Sequence, residues 1–223
     1  LQAKNLVPNP IPVTDLGAAL AYGHLKRVQT KTKDAFDWLQ NTPLAASAGQ
    51  DDLIQPGAML EVQFEFATTL NAPVTDKARS LYLVYGKVAT PKSAQAALEG
   101  GTGYASLQLA MQPTPTVEEL INQFQIHQKF VNKGLKGLTG KKDGVEFRLE
   151  PPASRAFATL DHVLVRTRYE ADESLSIQFT FVVHKIETPG VKGQVHFDRT
   201  LVKADYLTST GRIAFERLAS VIR

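Results

Sequence analysis

The chain contains no cysteine, which removes disulfides, thiolate metal sites and cysteine nucleophiles from consideration. It also lacks any apolar run approaching the roughly 18–20 residues that a membrane-crossing helix needs, because Gln, Thr, His or Arg breaks each long apolar stretch. Net charge is small. At +3 over 223 residues it confers no general affinity for polyanions, so nucleic-acid binding would have to come from clustered Lys and Arg. There is no Gly-x-Ser-x-Gly elbow, no His-Glu-x-x-His pair and no paired-carboxylate constellation. An enzyme is therefore disfavoured, and no cofactor and no metal are expected. A cysteine-free chain suits export, and a periplasmic or secreted location is favoured over cytoplasm or virion. The opening Leu1-Gln2-Ala3, without an initiator Met, fits removal of a signal peptide, a longer precursor or a tag.

What the chain does contain is an ordinary globular composition, 43% apolar and 21% charged, with enough apolar surface for a sizeable core. Residues 1–15 carry Pro8, Pro10 and Pro12 at alternate positions, which fixes φ and favours extended backbone before each proline. This segment is expected to be an extended arm, with Leu6, Val7, Ile11 and Val13 as its apolar anchors. The remainder, 16–223, is expected to form a single α+β domain.

Within that domain, Leu16, Leu20, Leu25, Val28, Phe36 and Leu39 approximate helical spacing over residues 16–40, with Lys26, Arg27, Lys31 and Lys33 making the segment basic. Residues 41–57 read as loop. Leu60, Val62, Phe64 and Phe66 alternate with polar residues and predict a half-buried strand, while Leu81–Val88 is apolar on both faces and predicts a central one. A short helix over Pro91–Glu99 leads through Gly100-Gly101-Thr102-Gly103 into a strand at Tyr104–Met111. The longest helix is expected from Thr116 to about Leu138, on the stripe Val117, Leu120, Ile121, Phe124, Val131, Leu135 and Leu138. Four strands then follow, Val145–Leu149, Phe157–Tyr169, Leu175–Ile186 and Val195–Lys203, joined as a meander. A last helix over about Ser209–Ile222 would bury Phe215, Leu218 and Ile222. Strands grouped rather than alternating with helices argue α+β: a twisted, mainly antiparallel sheet of about six to seven strands packed on amphipathic helices. In element order alone, a long helix followed by four long strands resembles a hot-dog fold.

Three groups of residues bear on chemistry. The glycine stretch at 100–103 precedes a strand rather than a helix, so it predicts a turn and not a phosphate cradle. The run Gly134–Lys142 echoes a nucleotide-binding loop but has Leu135 where the first glycine is required and Lys142 where Ser or Thr is required. Its lysines, with Lys129, Lys133, Lys136, Lys141 and Lys142 together, form a candidate basic patch, although a solvated helix end is the more common explanation. Finally, pairing the strands as a meander places His162, Arg166, Arg168, Gln178, Thr180, His184, His196, Asp198 and Thr200 on one sheet face. His162 is expected opposite Val182, His184 opposite Leu160, and His196 opposite His184. Two histidines and an aspartate are a metal or acid–base set; a polar outer face of a half-covered sheet is the plainer account. His127 is expected at the edge of the core, and Phe36 and Trp38 as packing anchors.

The expected function is a non-catalytic interaction or assembly protein that docks on a protein partner or on itself through Leu6, Val7, Pro8, Pro10, Ile11, Pro12 and Val13. The alternatives are an apolar small-molecule or lipid-binding module of an exported bacterial protein, and nucleic-acid binding through the Lys129–Lys142 cluster.

Overall fold

The computed structural model describes residues 2–13, 16–43, 53–61, 63–140, 143–185 and 190–222. The fold is α+β, mostly antiparallel sheet, and no described helix is long and apolar enough to cross a membrane. Contacts gather into two compact units, residues 1–67 with 78–110 and residues 68–77 with 111–223, where 16–223 was expected as one domain. The strands accordingly divide among a five-stranded sheet, a four-stranded sheet and two two-stranded pairs.

The first unit contains β1 (Gln2–Lys4), β2 (Ile11–Pro12), β3 (Gly17–His24), α1 (Leu25–Gln29), β4 (Phe36–Pro43), β5 (Leu53–Ile54), β6 (Met59–Glu61), β7 (Arg79–Gly86), α2 (Pro91–Gly100) and β8 (Tyr104–Leu109). Its main sheet runs β4-β3-β7-β8, and β1 pairs with β6 and β2 with β5. The helix expected over 16–40 is therefore corrected to strand, short helix and strand. The reason is burial on both faces: Ala18, Ala19, Ala21 and Tyr22 are fully buried between β4 and β7. A doubly buried strand has no polar alternation, and its apolar residues match helical spacing by accident. The strand expected through Phe66 is likewise cut to Met59–Glu61, with 63–66 outside any strand and Val62 outside the described residues. Its partner β1 offers only three residues to pair with. The short alanine-rich helix forms as expected. Thr90 and Ser93 cap it reciprocally at 3.1 and 3.0 Å, and Gly101, at φ 64°, ends it in the left-handed conformation that glycine tolerates. Phe36 packs on Trp38, Tyr82 and Tyr104 at ring separations of 5.4, 5.5 and 6.4 Å, the anchoring role expected of it.

The second unit contains α3 (Pro115–His127), β9 (Val131–Leu138), β10 (Gly144–Glu150), β11 (Leu160–Tyr169), β12 (Leu175–His184), β13 (Lys192–Leu201), α4 (Lys203–Tyr206) and α5 (Phe215–Ile222). Its sheet is a pure meander in chain order, β9 to β13. The expected long helix is corrected: it stops at His127, and Val131–Leu138 is an edge strand. Val117, Leu120, Ile121 and Phe124 are the buried stripe. The break has no glycine or proline; Lys129 takes φ 58°, the Phe130 N–H returns to the Phe124 carbonyl at 3.2 Å, and the two rings meet edge-on at 6.0 Å. Burying Phe130 against Phe124 and Phe157 outweighs one strained residue, because full burial of a phenylalanine contributes about 1.5–3 kcal/mol. Three strands send alternate residues inward: Val145, Phe147 and Leu149; Val163, Val165 and Tyr169; Leu175, Ile177 and Phe179. Leu218 of α5 is buried with them, but Phe215 is 55% exposed, correcting its expected place on the buried side. His127 is exposed rather than at the edge of the core.

Candidate functional site

The outer face of the β9–β13 sheet holds most of the polar residues singled out from the sequence. His162 stands opposite Val182 as expected, Arg166 opposite Gln178, and Arg168 opposite Ser176. His196 stands opposite Thr180 and Asp198 opposite Gln178, so His196 is not opposite His184; Lys192 takes that place. The register differs from the expected one by an even number of residues, which moves partners along the strand but leaves each side chain on its face. His184 is also one residue out, because Leu160 pairs with Val183 and His162 with Val182. Asp161 is the extra residue, a bulge.

That bulge re-aims Asp161. Its carboxylate meets His162 Nδ1 at 2.6 Å, Lys192 Nζ at 2.9 Å and His184 Nε2 at 3.2 Å. The hydrogen bond from Lys192, followed by that from His162, holds the Asp161 carboxyl well below the usual carboxylate range. The structure thus joins His162 and His184 through a residue the sequence reading missed. The available signal was a lone aspartate in an otherwise strand-like run, a residue type depleted in strands. Both carboxylate oxygens are engaged, and among the described residues no group of three His, Asp or Glu side chains is arranged to hold a metal ion. Elsewhere the face is a set of ion pairs: Glu146 with Arg166 at 2.7 Å, Asp143 with Arg168 at 2.8 Å, and Glu150 with Lys133 and Arg148 at 3.4 Å each. Of these, Lys133–Glu150 joins β9 to β10 and Glu146–Arg166 joins β10 to β11.

Of the lysines singled out, the three that are described do not gather at a helix end. Lys129 lies in the turn after α3, Lys133 and Lys136 are spread along β9, and Lys141 and Lys142 lie outside the described residues.

The arm is tied into its own unit at several points. Val13 is buried against Ile54, and Ile11 pairs with Ile54. Asn5 is 2% exposed: its Nδ2 donates to the carbonyls of Asn9 (2.9 Å) and Ile54 (2.8 Å), and its Oδ1 accepts from the Val7 N–H at 3.0 Å. The backbone of Asn5 also exchanges hydrogen bonds with Ala58 and Gly57. Around this fixed point the chain turns outward, leaving Leu6 83% and Val7 49% exposed, with Pro8, Pro10 and Pro12 also in solvent. No sequence signal marks Asn5, since its role depends on carbonyls from residue 54.

A cavity of about 280 Å³ lies in the second unit, bordered by Thr68, Asn71, Gln112, Thr114, Val145 and Tyr169 among others, none of them charged. Its polar groups serve one another: Asn71 clamps the Tyr169 backbone through two hydrogen bonds of 2.7 Å, and the Tyr169 and Thr114 hydroxyls meet at 2.7 Å. No family model, curated protein or solved structure matches the chain.

Proposed function

We propose that the chain is a non-catalytic interaction or assembly component that docks through its N-terminal arm. The observation that carries this reading is the pinned turn at residues 5–8. Leu6 and Val7 are held in solvent by a buried asparagine, so much of the ordering cost of a docking segment is met before any partner arrives. Exposed apolar residues on a fixed support are what a recognition knob requires. The test is light scattering over a wide concentration range on the whole chain and on a Leu6→Ser, Val7→Ser variant. Association that weakens in the variant supports the reading; a wild type that stays monomeric, or a variant that associates as tightly, overturns docking through the arm.

A second reading is supported by the uncharged cavity. At about 280 Å³ it falls at or below the roughly 300–1,000 Å³ of drug-sized ligand sites, which favours a small neutral molecule over a lipid. Mass spectrometry of an organic extract of the purified protein tests it, and an extract free of any stoichiometric small molecule counts against it.

A further inference from the structure

We infer that β13 is a docking edge for a second copy of this chain, paired antiparallel about a two-fold axis through Phe197. The inference deepens the assembly reading by naming a partner and a surface. β13 is the last strand of its sheet, and among the described residues it pairs only with β12. Its pairing with β12 runs over all ten residues without a register shift, so the strand is long and regular. From Gln194 to Thr200 each residue is exposed, including Val195 (56%) and Phe197 (51%). These two sit on the inner, apolar side, with Phe197 against Phe179 at 6.0 Å. Edge strands offer unpaired N–H and C=O groups, and proteins normally block them with bulges, prolines, lysines or inward-pointing charges. The opposite edge is blocked in that way: β9 carries Lys133 and Lys136, and its pairing with β10 breaks at Arg148/Leu149. β13 has no such bulge, its one lysine stands at its first position, and its one charge on the inner side, Arg199, lies near its end.

Side-chain complementarity selects the occupant and the register. A two-fold axis perpendicular to a continuous sheet keeps each face on its own side, so the axis must pass through a residue, not between two. An axis at Asp198 or Arg199 would set like charges opposite one another. An axis at His196 puts Asp198 opposite Gln194 and the two His196 rings opposite each other, so neither imidazole meets a carboxylate. An axis at Val195 puts Asp198 opposite Lys192, which Asp161 already engages. With the axis at Phe197, the two Phe197 rings face each other, and His196 stands opposite Asp198 of the second copy, twice. The Asp198 side chain has no hydrogen bond or ion pair among the described residues, and His196 bonds Thr180 only through Nδ1, at 3.0 Å, leaving Nε2 for the partner. Aromatic pairs and hydrogen-bonded or opposite-charge side-chain pairs are cross-strand arrangements that stabilise an antiparallel pair.

The absence of cysteine makes the test direct. Residues at the axis lie about 4.5–5.5 Å apart between Cα atoms, within disulfide reach, so Phe197→Cys should form a covalent dimer on mild oxidation. Val195→Cys should not, because its symmetry mate lies four residues along the strand, roughly 14 Å away. Equal cross-linking at both positions, or none at 197, overturns the register. If the wild type still associates while Phe197→Cys stays uncross-linked, the β13 pairing falls and the assembly reading stands; cross-linking at 197 with no effect of the Leu6 and Val7 changes gives the reverse. A second pair of variants does not depend on the cysteine. Asp198→His should weaken the dimer about 2- to 30-fold in Kd, and adding His196→Asp should restore it. Failure of the double exchange to restore affinity, or a wild type monomeric at every concentration, overturns the pairing.

Discussion

Replacing Asn5 with alanine tests how the exposed turn is held. Three side-chain hydrogen bonds are lost: two donated to the Asn9 and Ile54 carbonyls and one accepted from the Val7 N–H. The bond to Ile54 is the fully buried one, and leaving that carbonyl without a donor costs about 1–3 kcal/mol. The other two are partly exposed, so water replaces them and each contributes about 0.5 kcal/mol. The expected loss is therefore about 2–4 kcal/mol, concentrated in the turn and in the β1–β6 and β2–β5 pairs rather than spread through the unit. Asn5→Asp is expected to be at least as damaging despite its matching shape, because it sets a carboxylate oxygen against two carbonyl oxygens. Hydrogen exchange at the Val7 and Gly57 amides is the decisive assay, with urea denaturation as the global measure. Protection at both amides should fall by one to two orders of magnitude, about 1.4 kcal/mol for each. An alanine variant with wild-type exchange at Val7 and Gly57, or one destabilised by under about 0.5 kcal/mol, would refute the account of how Leu6 and Val7 are presented.

Two further outcomes follow from the second unit. Asp161 has its pKa lowered by Lys192 and His162, so it binds fewer protons in the folded state than in the unfolded one near and below pH ~4. Its contribution is therefore fully present above the unfolded pKa and is lost as pH falls towards the lowered folded value. With Lys192 and His184 each nearly half exposed, Asp161→Asn should cost about 1 kcal/mol at pH 7, and the gap in urea midpoint from wild type should shrink from pH 5 downward; a pH-independent gap contradicts the sign. Gly144 has φ 124°, and an added Cβ would lie 2.2 Å from the Thr167 carbonyl oxygen. Gly144→Ala should therefore cost about 1–3 kcal/mol for the dihedral alone and more for the clash, whereas Gly134→Ala, with open space around it, should be neutral or stabilising by up to about 1 kcal/mol. Equal thermal shifts for the two variants would contradict this.

Local pattern determined the fold class, the helix after Thr90 and the meander from residue 144 onward. In those stretches one face is buried and one is wet, so period-two alternation is written directly into Leu175, Ile177 and Phe179 against Ser176, Gln178 and Thr180. The grouping of His162, Arg166, Arg168, His184, His196 and Asp198 on one face followed from the same alternation, and it survived an incorrect register between β12 and β13 because the error was even. Only tertiary structure decided the rest. Residues 17–24 are strand because β4 and β7 bury both their faces, and residues 131–138 left the helix because Phe130 found Phe124 and Phe157. The reach of Asp161 to Lys192, and of Asn5 to the Ile54 carbonyl, spans 31 and 49 residues of chain. Such contacts depend on where distant backbone comes to rest, which no local spacing encodes.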